Sequence, residues 1–151
     1  MCIRDSYYSR GFSELLKAGA VIGTGTGTRG LRFGGRFTLD VFPDLAGQPG
    51  LGLGGQVLYS NYQNGTRIEA TVIPFLHKAF QMRDSGYEFS PYVAFPIGVA
   101  SGPGDESNSL LQFSVGSLFR KVDWISFIVE IGISVHNSET YLSGGVVLYH
   151  R

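Results

Sequence analysis

From about residue 18 onward, apolar and polar residues alternate with a period of two, and this alternation limits the possible folds more than any other feature. Period two marks a β-strand whose two faces meet different surroundings. In "ISFIVEIGISVH" (125–136) one face carries Ile125, Phe127, Val129, Ile131, Ile133 and Val135. The other carries Ser126, Ile128, Glu130, Gly132, Ser134 and His136. A buried, unpaired carboxylate costs several kcal/mol, and the alternation keeps Glu130 off the aliphatic side.

The same split recurs along the chain. "LRFGGRFTLDV" sets Leu31, Phe33, Phe37, Leu39 and Val41 against Arg32, Gly34, Arg36, Thr38 and Asp40. "LLQFSVGSLFR" sets Leu111, Phe113, Val115 and Phe119 against Gln112, Ser114, Gly116 and Arg120. "YEFSPYVAFPIGV" and "LGGQVLYSN" behave alike, with Glu88, Ser90, Tyr92, Gly54, Gln56 and Ser60 on their polar faces. "RIEATVIPFLH" is less clean, with Ile68, Ala70, Val72 and Leu76 against Arg67, Glu69, Thr71 and His77. Turn chemistry separates the runs: Asn64-Gly65 is a strong hairpin signal, and "PDLAGQPG", "QMRDSG", "GPGDESN", "KVD" and "NSET" supply the other breaks. Eight strands are expected, at about 18–26, 30–42, 51–62, 66–79, 86–99, 109–121, 124–136 and 141–150. Consecutive hairpins of this kind form an antiparallel meander, and eight strands suffice to close a barrel. Pro74, Pro91 and Pro96 fall inside expected strands, where a missing N–H breaks the ladder, so bulges or strand ends are expected there.

Composition narrows the class. The 151 residues allow one domain, and Lys plus Arg balance Asp plus Glu at 12 each, so no net field recruits nucleic acid. Charged residues are 16% of the chain, against roughly 25% in ordinary soluble domains. The single cysteine, Cys2, excludes a disulfide framework, and His77, His136 and His150 are too scattered to predict a metal site. No cofactor is expected. "MCIRDS" (1–6) resembles the translated adaptor read-through found at the ends of metagenomic reading frames; on that reading the true start is lost, and the lack of a secretory signal says nothing about export. Residues 7–17 are undetermined, and the barrel domain is expected over 18–150.

Alternation alone does not say which face is inside. Small residues decide it: Gly34, Gly54, Gly98, Gly116, Gly132, Ser60, Ser90, Ser114, Ser126 and Ser134 crowd the polar faces. An eight-stranded lumen is barely wide enough for side chains, so a polar interior of small groups and a few long ones is expected. The apolar rows would far exceed the ~300–600 Å² patch typical of soluble monomers. Lipid is therefore the expected partner, with Tyr59, Tyr87, Phe119, Trp124, Tyr141 and Tyr149 near strand ends as an interfacial belt. The interior set is Arg32, Arg36, Asp40, Gln56, Glu69, Glu88, Gln112, Arg120 and Glu130, with Arg32, Arg36 and Arg120 as available partners for Glu130.

The chain resembles the small eight-stranded outer-membrane β-barrels of Gram-negative bacteria over about residues 18–150, on "LRFGGRFTLDV", "LLQFSVGSLFR", "ISFIVEIGISVH" and the closing "YLSGGVVLYHR". The resemblance implies an all-β, up-and-down transmembrane barrel, monomeric, in the bacterial outer membrane and inserted by the barrel-assembly machinery. Such chains finish on an aromatic residue; here Tyr149 is followed by His150 and Arg151, an atypical or truncated end. The first functional expectation is a non-enzymatic envelope component or narrow pore. A second is an envelope esterase: the lipid A deacylases use a His-x-Ser pair that His136 and Ser138 resemble. His136 would then be the base and Ser138 the nucleophile, although Glu139 stands where that family has asparagine. Glu130 lies about 20 Å from His136 at ~3.3 Å per residue, too far to support it. A third is a soluble lipocalin-like carrier with an apolar cavity. "GTGTRG" (25–30) matches G-x-G-x-x-G, but a strand rather than a helix is expected after it, so it reads as a glycine-rich turn.

Overall fold

Why these segments pair as they do is visible in the computed structural model, which describes residues 3–11, 16–25, 29–45, 47–62, 65–82, 86–102, 105–122, 125–138 and 140–148. Its eleven strands are β1 (Ile3–Gly11), β2 (Leu16–Gly25), β3 (Arg29–Phe42), β4 (Gly50–Tyr62), β5 (Gly65–His77), β6 (Phe80–Gln81), β7 (Glu88–Ala94), β8 (Ile97–Gly102), β9 (Asp105–Val122), β10 (Ile125–His136) and β11 (Tyr141–Leu148). Each ladder between them is antiparallel, and the strands follow the order β1-β2-β3-β4-β5-β7-β9-β10-β11, with β6 on β7 and β8 on both β5 and β9. The protein is all-β. Gly65 sits at φ 135°, a backbone region closed to side chains, at the β4–β5 turn where the Asn-Gly signal falls. Asn64 itself lies outside the described residues, as do Gly27, Trp124, Glu139, Tyr149 and His150.

All eight expected segments hold strands; that at 86–99 is broken in two, and a short further strand, β6, follows the one at 66–79. β5 and β6 form one lane, since both pair with β7, and β7 and β8 form another, since both pair with β9. Pro74 and Pro96 explain the break between β7 and β8. The β5 ladder passes from Phe75↔Ala94 to Val72↔Ile97, leaving Pro74 and Pro96, neither with an N–H, around the gap. The Pro74 carbonyl still accepts from the Phe95 N–H at 3.0 Å and the Pro96 carbonyl from Gln112 at 3.0 Å. Pro91 departs from expectation. It lies inside β7 opposite Ser117, and its carbonyl accepts from the Lys78 N–H at 3.1 Å, so the strand runs through it.

The strand count also exceeds eight. Residues 3–11, partly read as adaptor and partly left undetermined, pair with β2 from Ile3↔Gly25 to Gly11↔Lys17. β1 lies in turn against β11, so the sheet closes on itself into a barrel-like form. Eight antiparallel steps lead from β1 to β11, which makes these two end strands run in the same direction.

The two faces divide as the alternation requires, with the apolar rows outward. Phe33 is 46% exposed, Phe127 53% and Ile131 51%, whereas Glu130, on the opposite face of the same strand as the last two, is 6% exposed. The interior is less polar than expected: Val21, Leu58, Ile73, Ala94, Ala100 and Leu110 are buried, among them inward residues of β4 and β5.

Candidate luminal site

One geometric rule builds the interior. Neighbouring strands lie ~4.8 Å apart, so two long side chains two strands apart meet only if the residue between them is small. Glu130 shows this most fully. It pairs with Gly116 on β9, and Gly116 pairs on its far side with Tyr92 of β7. With no side chain at 116, the Tyr92 ring crosses β9 and its hydroxyl donates to Glu130 Oε2. On the other flank Tyr141 pairs with Gly132, and its hydroxyl donates to Glu130 Oε1. A Cβ at Gly116 would lie 2.4 Å from Tyr92 Cζ, and one at Gly132 would lie 2.2 Å from Tyr141 Cε1. Ser143, directly opposite Glu130 on β11, is small and buried. The carboxylate is thus held by two neutral donors, which satisfies it without a second buried charge.

This corrects two expectations. Glu130 is hydrogen-bonded by tyrosines rather than by Arg32, Arg36 or Arg120. Tyr141 faces inward and is not part of an outer aromatic belt. Tyr59 does lie on the outer side, its ring 4.8 Å from that of Phe33.

The other charges are paired too, some directly and some across a small residue. Glu88 and Arg120 are direct cross-strand partners and meet at 2.5 Å. Arg32 on β3 reaches Glu69 on β5 at 3.8 Å over the buried Ser60 of β4. Arg67 and Glu69, two residues apart and so on one face, form an ion pair at 3.0 Å without hydrogen-bond alignment. Asp40 takes Lys17 at 3.7 Å and His77 at 3.5 Å, the latter across a stretch of β4 whose inward positions are Gly50 and Gly52. Just beyond, in the turn after β3, Asp44 accepts from Lys78 Nζ at 2.6 Å and from the Ala79 N–H at 2.6 Å. The Ala79 N–H first, and then Lys78, hold the Asp44 carboxyl below its ordinary value of 3.8.

Arg32, Arg36, Gln56, Glu69, Gln112 and Glu130 are brought together around one interior cavity of about 80 Å³, whereas Asp40, Glu88 and Arg120 are not among its lining residues. That space admits several waters and is far below the ~300–1,000 Å³ of small-molecule sites. Part of its wall is apolar, from Ile73, Ala94, Pro96 and Leu110.

His136 and Ser138 are near each other in sequence but not engaged. The Ser138 hydroxyl donates to the Leu111 carbonyl at 2.8 Å, and His136 Nε2 lies 3.0 Å from Asn137 Nδ2. Glu69 and Glu88 are held in separate ion pairs and do not form a carboxylate dyad. The G-x-G-x-x-G segment joins β2 to β3, strand to strand.

Tyr92 and Tyr141 are the residues that sequence reasoning missed as partners of Glu130. The signal available was a tyrosine on, or next to, a polar face whose cross-strand neighbour is glycine, which requires the register and not only the alternation. No family model, curated protein or solved structure matches this chain.

Proposed function

We propose that this chain is a membrane-spanning β-barrel of the Gram-negative outer membrane, with a structural or narrow-pore role and a lumen closed by ion pairs and tyrosine hydroxyls. The observation that carries the reading is the continuous apolar exterior. On β3 the outward residues Leu31, Phe33, Phe37, Leu39 and Val41 are all 38% exposed or more. From 31 to 41 they span about 33 Å along the strand, or ~25 Å along a barrel axis at the usual ~40° tilt, matching the apolar band of such barrels. β10 repeats the row from Phe127 to Val135. Left in water, so large an apolar surface would drive association; acyl chains remove it from water. The small, partly filled cavity favours a structural role over an open channel, and an interior lined by arginine and glutamate suits an apolar cargo poorly.

The test is phase separation of the purified protein in a clouding detergent, together with Val129→Arg, an outward position in mid-strand. The protein should follow the detergent phase, and the arginine should cost about 2–4 kcal/mol of stability in a bilayer. Recovery in the aqueous phase, with Val129→Arg neutral, would remove the membrane reading.

A further inference from the structure

We infer that the luminal cavity is a binding site for a small tetrahedral oxyanion, of the phosphate or sulfate class, seated on Arg36. Three guanidiniums (Arg32, Arg36 and Arg67) line the cavity against two carboxylates, Glu69 and Glu130. Both acids are already engaged: Glu69 by Arg32 and Arg67, and Glu130 by the two tyrosine hydroxyls. The cross-strand neighbours of Arg36 are Gly19 on β2 and Gln56 on β4, so neither flanking strand offers it an acid. Among the described residues no carboxylate makes a salt bridge with it. Contrast Arg120, whose cross-strand neighbour is Glu88.

Arg36 shares the cavity with Glu130 but makes no salt bridge to it, and its planar fork matches two oxygens of a tetrahedral oxyanion. The cavity, about 80 Å³, has room for such an ion and not for a nucleotide or a sugar phosphate. Gln56, directly across from Arg36 and in the same wall, supplies a neutral donor. This inference rests on the barrel interior and holds whatever surrounds the outer face.

The test is thermal unfolding of the protein in detergent, titrated with inorganic phosphate at constant ionic strength set by a bulky organic anion. The melting temperature should rise and saturate, because a ligand that binds only the folded state stabilises it by mass action. Arg36→Gln should weaken the apparent Kd at least tenfold. Gln56→Glu places a carboxylate opposite Arg36 and should raise the melting temperature without phosphate while abolishing the response to it, so the inference stays testable if Arg36→Gln fails to fold. Glycerol phosphate, which carries the same headgroup on a bulkier body, should bind at least tenfold more weakly. A linear or absent response, a full response retained in Gln56→Glu, or equal affinity for glycerol phosphate would each overturn the site.

Discussion

Gly116→Ala probes the packing around Glu130 by adding a single methyl group. The new Cβ would lie 2.4 Å from both Cζ and Oη of Tyr92 and 2.8 Å from Cε1, contacts that carbon and oxygen do not sustain. The ring must swing away, and its hydroxyl then leaves Glu130 Oε2 while Tyr141 keeps the other oxygen. A hydrogen bond to a charged group contributes about 1.5–3 kcal/mol. At about 1.4 kcal/mol per tenfold, the folding equilibrium should fall roughly 10- to 150-fold. Reversible denaturant unfolding in detergent or vesicles reads this directly. The control is Tyr92→Ala, which removes both the ring and the bond. In that background Gly116→Ala should change stability by about 0.5 kcal/mol or less, because nothing remains to clash and alanine is, if anything, the better strand former. Strictly additive costs in the two backgrounds would refute the idea that glycine at 116 exists to let the ring across.

Two further outcomes follow from the ion pairs. Glu88→Gln should cost about 1 kcal/mol, since its partner Arg120 is only partly buried, and exchanging the pair as Glu88→Arg with Arg120→Glu should recover most of that in the same unfolding assay. Asp44 has a carboxyl held below its ordinary value in the folded state, so its contribution is present above the unfolded pKa and is lost as pH falls through the folded one. The protection of the Ala79 amide, the intrinsic exchange rate at each pH divided by the observed one, should therefore fall on acidification below about pH 4, whereas Asp44→Asn should show that slope flattened; an unchanged slope would exclude the Asp44–Ala79 bond as its cause.

Much of the fold was legible because alternation is a one-dimensional signal. The run 125–136 announces which residues share a face, and the exposure of Phe127 and Ile131 against the burial of Glu130 follows that division. Six residues of the expected interior set, Arg32, Arg36, Gln56, Glu69, Gln112 and Glu130, line the cavity. Pairing is a two-dimensional property, and there the sequence alone falls short. Arginine was the natural partner to expect for Glu130 by charge, but charge does not say what stands two strands away; Tyr92↔Gly116↔Glu130 is a statement about register. Tyr141 was misplaced for a related reason: a tyrosine at a strand end reads equally as an interfacial ring or as an inward donor, and only the glycine opposite distinguishes them. β1 is not legible in the sequence, since residues 3–6 fall in the adaptor-like segment and 7–11 show no clear pattern, and only the register pairs it with β2.

Small residues in the interior therefore do two jobs that composition alone confuses. Some, such as Ser114 and Ser126, are buried fillers in a narrow lumen. Others are openings. Phe75 lies over Gly52, Tyr92 over Gly116 and Tyr141 over Gly132, each ring on the strand beside its glycine and each occupying the space where a Cβ would be. A ring laid across a neighbouring strand fills the lumen sideways, so a barrel with many luminal glycines need not be hollow. The luminal glycines are thus matched by side chains of the wall that fill the space they leave. Arg36 differs from Arg120 in its cross-strand neighbours, Gly19 on β2 and Gln56 on β4, neither of them an acid.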